Sequence, residues 1–178
     1  MEEKKMMTPM TKGLILGMIT VVLSLLLQTF IPDLKEQQKY SWASLFIIFA
    51  GIIWACWSYA KDMNGNVTFG NVFAHGFKTT AVLTSISIIF TIITLTVIFP
   101  DLKEKAMENA REQMMEQDQL NDTQIDQAIE MTSKFFIAFA IGGVLISYLL
   151  IGAIASLIGA GVVKKNPNPT PFESDNLQ

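Results

Sequence analysis

Charged residues are nearly missing from four long stretches of this chain, 13–31, 42–60, 77–99 and 135–163, where Lys78, one residue inside the third, is the single exception. A soluble bundle needs a charged face on most of its helices to meet water, so runs of this kind exclude one. Cysteine and histidine are limited to one each, Cys56 and His75. A single cysteine cannot close an intrachain disulfide, and a lone histidine without a nearby thiol lacks the ligand set of a transition-metal site. Cys56 therefore reads as a small packing hydrophobe and His75 as an interfacial hydrogen-bond donor. No Asp, Glu, Arg or Lys falls in the middle of a span, no serine or threonine there has an activating base, and no phosphate loop is present. Nothing in the residues points to an enzyme or a cofactor.

What the sequence does contain is apolar length. Roughly 20 residues at about 1.5 Å each cross a hydrocarbon core of roughly 30 Å, and every one of the four runs is long enough. The expected fold is all-α: a polytopic membrane protein built as a bundle of four transmembrane helices in a single domain, 1–165. The first run is too long for a signal peptide, and Phe30-Ile31-Pro32-Asp33 is no small-residue cleavage site, so it is expected to stay as the first helix. The tail, 166–178, has little apolar surface to bury and reads as disordered. Basic residues nearly balance across the two sides, but Lys164-Lys165 directly follows the last span as a stop-transfer signal. This places both termini in the cytoplasm.

The pentapeptide Pro32-Asp33-Leu34-Lys35-Glu36 recurs as Pro100-Asp101-Leu102-Lys103-Glu104, at an offset of 68 residues. In each copy the proline is expected at the first position of a new helical segment whose acidic residues suit an N-terminus. Because both copies end the first span of a helical pair, a duplicated two-span unit is one reading and recurrence of helix-start chemistry is the other.

The second pair carries an insertion, 101–134, without proline or glycine after its start and rich in Glu, Gln, Met and Ala. It is expected to form an acidic helical hairpin outside the cytoplasm. Leu102, Ala106, Ala110 and Met114 give its first arm an apolar stripe, and Asn121 with Gln124 forms a capping box for the second, flanked by a Leu120–Ile125 staple. The second arm should run directly into the fourth span. Glu104, Glu108, Glu112 and Glu116 repel one another at i,i+4 spacing, as do Asp122, Asp126 and Glu130. A solvated acidic face explains them, divalent-cation binding between the arms is the alternative, and the charge excludes nucleic acid as a partner.

The cytoplasmic loop, 61–76, contains an Asn64-Gly65 turn and a helix cap at Thr68. Phe69, Phe73 and Phe77 share one helical face, which suggests a short interfacial helix that bends near Gly76 before the third span. Within the spans, polar side chains recur at helical spacing: Thr20, Ser24 and Gln28 in the first, and Thr80, Thr84, Ser87, Thr91 and Thr94 in the third. Gly152, Ser156 and Ala160 form a small-residue ladder in the fourth, with Gly143 and Ser147 starting another. Such faces form a bundle seam or line a solute path, and packing is the simpler reading.

Gly65-x-x-Thr68-Phe69-Gly70-x-x-Phe73-x-x-Gly76-Phe77, followed by a span, an acidic extracytoplasmic helix and the stretch Gln127-Ala128-Ile129-Glu130-Met131-Thr132, resembles a bacterial membrane protein family, domain of unknown function 4199, common in Bacteroidota. The resemblance implies four spans in a bacterial inner membrane and supplies no reaction or substrate. The seven motif residues carry no role from it. The function expected is noncatalytic: contact with the lipid bilayer, and binding of a membrane or envelope partner or a second copy of the chain. The alternative is a small-solute permease or channel-like transporter.

Overall fold

The computed structural model describes residues 6–31, 33–116 and 121–166. Six α-helices follow one another: α1 (Pro9–Phe30), α2 (Leu34–Asp62), α3 (Phe69–Ile93), α4 (Leu102–Glu116), α5 (Asp122–Lys134) and α6 (Phe136–Val162). Four of them, with α3 extended to Ile98, are long and apolar enough to cross a membrane. Each outruns the charge-free stretch that announced it or matches it closely, because polar residues at the ends continue the helical hydrogen bonding. The expected disordered tail, apart from Asn166, lies outside the described residues, as do Pro32 and the staple residue Leu120.

Local chemistry sets the boundaries. Pro9 occupies the first turn of α1 behind a Thr8 cap. Thr68 caps α3 by accepting from the Asn71 N–H at 3.1 Å. Asn64 and Gly65 both adopt positive φ, 51° and 77°, and reverse the chain between α2 and α3. The prolines behave differently from expectation. Asp33, one residue beyond Pro32, caps α2 by accepting from the Lys35 N–H at 2.8 Å, and Pro100 sits in a turn before α4. In both copies the carboxylate, rather than the proline ring, answers the free N–H groups of the helix start or its neighbouring lysine; Asp101 pairs with Lys105 at 2.6 Å.

A second difference concerns Gly76. No bend occurs there, and α3 runs unbroken from Phe69 to Ile93. A Cβ at Gly76 would lie 2.6 Å from both Cys56 Sγ and Ser156 Oγ, so this glycine permits three helices to meet instead of letting one bend. The irregularity in this helix comes later, where Thr94–Ile98 winds as a π-helix closed by Phe99 N–H donating to Thr94 O at 2.8 Å.

α3 is the central helix. It packs on α1 at Gly13 and Gly17, whose absent side chains admit Val82 and Ile86, and on α6 at Gly152, where Thr80 occupies the space of a Cβ. Leu16, Ile48, Ile52, Leu83 and Ala155 form one buried cluster, and Cys56, Ala60, Val67, Val72, Ala160 and Val163 form another toward the Asn64 end. At that same end, Asn166 N–H donates to Gly65 O at 2.8 Å, which brings the chain leaving α6 onto the α2–α3 turn.

α4 and α5 pack against each other at the opposite end, with Arg111 paired to Asp126 and Lys35 at the start of α2 reaching Glu112 at 2.8 Å. The capping box at the start of α5 is complete: Asn121 Oδ1 accepts from Gln124 N–H at 2.9 Å and Gln124 Oε1 accepts from Asn121 N–H at 3.1 Å. Asn121→Ala removes both bonds. It is expected to cost about 1 kcal/mol locally, read as a roughly fivefold faster hydrogen exchange at the first amides of α5 with the four long helices unchanged. The junction of α5 with α6 is interrupted at Phe135 alone, where Phe135 N–H still donates to Met131 O at 3.2 Å.

Candidate functional site

The hydroxyl stripes split into two groups when the helices come together. Thr80 and Thr84 are buried in tight packing and spend their protons on their own helix, Thr80 Oγ1 donating to Gly76 O at 3.0 Å and Thr84 Oγ1 to Thr80 O at 2.8 Å. The remaining predicted seam residues, Thr20, Ser24, Gln28, Ser87, Thr91 and Thr94, line hollows in the half of the bundle nearer α4. One hollow, of about 140 Å³, lies between α1 and α3 and beside Tyr148 of α6. The other, of about 330 Å³, opens between α1, α2 and α6 and is bordered by Gln37, Ser44, Gly143 and Ser147. Thr20, Ser24, Gln28 and Tyr148 are common to both, so the two form one cleft along the polar stripe of α1.

Hydrogen bonding within the cleft is incomplete. Thr20 donates to Leu16 O and Thr91 to Ser87 O, both at 2.8 Å, and Gln28 Nε2 reaches Ser24 Oγ at 3.2 Å. Gln28 Oε1, Ser87 Oγ and Thr94 Oγ1 are buried with no hydrogen-bond partner. The Tyr148 hydroxyl neighbours Ser87 but falls short of hydrogen-bond geometry with it. No charged side chain lines either hollow. Toward the Asn64 end the cleft is closed by the Leu16, Ile48 and Leu83 cluster.

A second polar cluster lies beyond that closure. Lys12 is fully buried, and its ammonium donates to Ala55 O on α2 at 3.2 Å, with Asp62 and Cys56 within electrostatic reach. His75 is not the interfacial donor expected. It is 6% exposed and stacks on Tyr59, ring centroids 4.3 Å apart and planes 15° from parallel, with Nε2 unpartnered. Its burial follows from its place one turn above the Gly76 contact, where α2, α3 and α6 approach most closely. Cys56 is buried as expected, its thiol 3.7 Å from Val72 O. Sequence reading counted Lys12 among the residues beside the first span; the small residue Gly13 next to it was the available signal that this turn of α1 faces another helix.

The motif residues serve the Asn64 end. Gly65 makes the turn, Thr68 caps, Phe73 packs on the Cys56 cluster and stacks on Phe77 at 5.8 Å, and Gly76 permits the three-helix contact. Phe69 and Phe77 are partly exposed, and Lys165 lies 5.5 Å over the Phe69 ring. Gly70 is exposed and meets only Thr68 Oγ1, at 3.9 Å. Among the described residues, no group of three or more His, Cys, Asp or Glu side chains is placed to hold a metal ion, the acidic ladders of α4 and α5 included.

Four long apolar helices around buried small residues and a polar cleft define a multi-pass helical membrane protein. Within that class, the chain belongs to the family described as Protein of unknown function (DUF4199), which matches residues 11–165. No curated protein and no solved structure matches it.

Proposed function

We propose that this chain is a noncatalytic protein of a bacterial inner membrane, with both termini in the cytoplasm, that acts by binding a membrane or envelope partner or a second copy of itself through α4 and α5. The observation that carries the reading is that α4 buries none of its residues and α5 only Ile125. Two helices tied to the bundle by an ion pair and each other, yet contributing almost nothing to its core, are placed to meet something else. Their exposed faces combine carboxylates with Met115 and Met131, which are 47% and 63% exposed. Such a mixed surface suits protein contact, where apolar area supplies attraction and charge supplies selectivity.

Photo-crosslinking side chains at Glu108, Gln113 and Met115 in intact membranes are expected to give a protein adduct of discrete mass that is lost when Glu104, Glu108 and Glu116 become glutamine. Adducts with lipid alone at every position would exclude the reading. The orientation has its own test. In a Cys56→Ala background, an impermeant maleimide applied to cells bounded by the inner membrane is expected to label Gln113→Cys and spare Lys61→Cys; the reverse pattern would invert the topology.

A small-solute permease is a second reading, favoured by the polar cleft. Passage would require the Leu16, Ile48 and Leu83 layer to part. Uptake of a broad panel of solutes into proteoliposomes, compared with a variant carrying valine at Thr84, Ser87 and Thr91, tests it.

A further inference from the structure

From the unspent hydrogen-bonding groups of the cleft we infer that it is a binding site for a small uncharged polyhydroxyl group, either a free polyol or the sugar or glycerol headgroup of a lipid. The inference deepens the second reading by naming the ligand class, and it requires binding only, not passage.

Each buried hydroxyl or amide oxygen left without a partner costs about 1–3 kcal/mol relative to its hydrated state. Three such atoms converge here: Gln28 Oε1, which can only accept, and Ser87 Oγ and Thr94 Oγ1, which can donate or accept. Ser87 and Thr94 are 5% and 4% exposed, so bulk water does not satisfy them at the protein surface. An apolar occupant would leave all three unanswered. An ion would enter a membrane-embedded cleft with no counter-charge in its lining, at a desolvation cost of several kcal/mol. A hydroxyl group donates and accepts at once, and two or three of them on one small carbon frame match the mixed set. The 140 Å³ hollow corresponds to roughly four or five waters at about 30 Å³ each, the scale of a three- or four-carbon polyol. The adjoining 330 Å³ hollow gives the ligand its way in and leaves room for a larger ring or an acyl-linked headgroup.

The surrounding residues make this a site rather than a packing fault. Thr20 and Thr91 place their protons on their own helix and so present lone pairs to the cleft. Gly143 borders the larger hollow, and a Cβ there would meet nothing within 4 Å.

The test uses the purified full-length chain in an amine-oxide detergent, which carries no hydroxyl groups. Saturation-transfer NMR is run with glycerol, erythritol and myo-inositol, and with lactate and choline as charged counterparts. Retention of glucosyl diacylglycerol through purification forms the lipid arm. Transfer to an uncharged polyol, without transfer to lactate or choline, is expected, or Gly143-dependent retention of the glycolipid; the first marks a free solute and the second a lipid headgroup. Thr94→Val and Ser87→Ala should each weaken binding roughly tenfold, the loss of one buried hydrogen bond. Gly143→Leu fills the cleft without a clash and should abolish binding at an unchanged thermal midpoint. Neither polyol transfer nor glycolipid retention, equal transfer to the charged compounds, or full binding by Gly143→Leu would each overturn the inference. Binding without uptake in proteoliposomes would leave the site standing and remove the permease.

Discussion

Gly152→Leu is expected to destabilise the bundle by about 3 kcal/mol or to prevent its accumulation in the membrane, because a side chain at this position must occupy the volume already held by Thr80. Thr80 cannot yield easily: it is fully buried and its hydroxyl is bonded to Gly76 O. The helices would therefore separate along the α3–α6 line, which includes the Gly76, Cys56 and Ser156 contact one turn away. Gly142→Leu on the same helix provides the comparison. A Cβ there meets nothing within 4 Å, so that change should leave thermal unfolding in detergent unaltered. Equal midpoints for Gly152→Leu and Gly142→Leu would show that close backbone approach at Thr80 contributes nothing to stability.

Lys12→Glu should be comparably severe, at roughly 3–5 kcal/mol, the range for breaking a buried charge interaction by removing one side of it. The lysine ammonium lies among the Ala55 carbonyl, Asp62 and Cys56, all of which favour a positive group. A carboxylate in its place faces a carbonyl oxygen and a second carboxylate. Lys12→Met keeps the apolar stem and should cost less. Combining Lys12→Met with Asp62→Asn should cost less than the two single changes added together, since each alone leaves the other charge uncompensated. Strict additivity in detergent unfolding would separate Lys12 from Asp62 energetically.

The parts of this fold that could be read from residues alone were those governed by neighbours in the chain. The four spans followed from missing charge, the α3 cap from Thr68, the α5 capping box from Asn121 and Gln124, and the α3–α6 contact from the ladder Gly152, Ser156 and Ala160. The parts that were missed depend on which faces meet. A hydroxyl stripe has the same spacing whether it packs, as at Thr80 and Thr84, or opens into a cleft, as at Ser87 and Thr94, because the difference lies in the separation of α1 and α6. His75 and Tyr59 stack across two helices, a pairing with no local signature. Gly76 suggested a bend because glycine is a poor helix former, yet its small volume, used for close approach, proved the controlling property. The cleft's lining was partly visible as the Thr20, Ser24 and Gln28 stripe; Tyr148 and Gly143 joined it only through the placement of α6.

The π-helical turn at Thr94–Ile98 amounts to one extra residue wound into α3. Each residue added to an α-helix rotates everything beyond it by about 100° around the axis. Deleting one residue from this turn would let the last turn of α3 become regular while swinging Pro100 and the whole of α4 through more than a quarter circle, away from Lys35. The angular position of α4 over the bundle is thus recorded in a chain-length difference of one, so relatives lacking that residue would present the same two helices toward a different quarter of their surroundings.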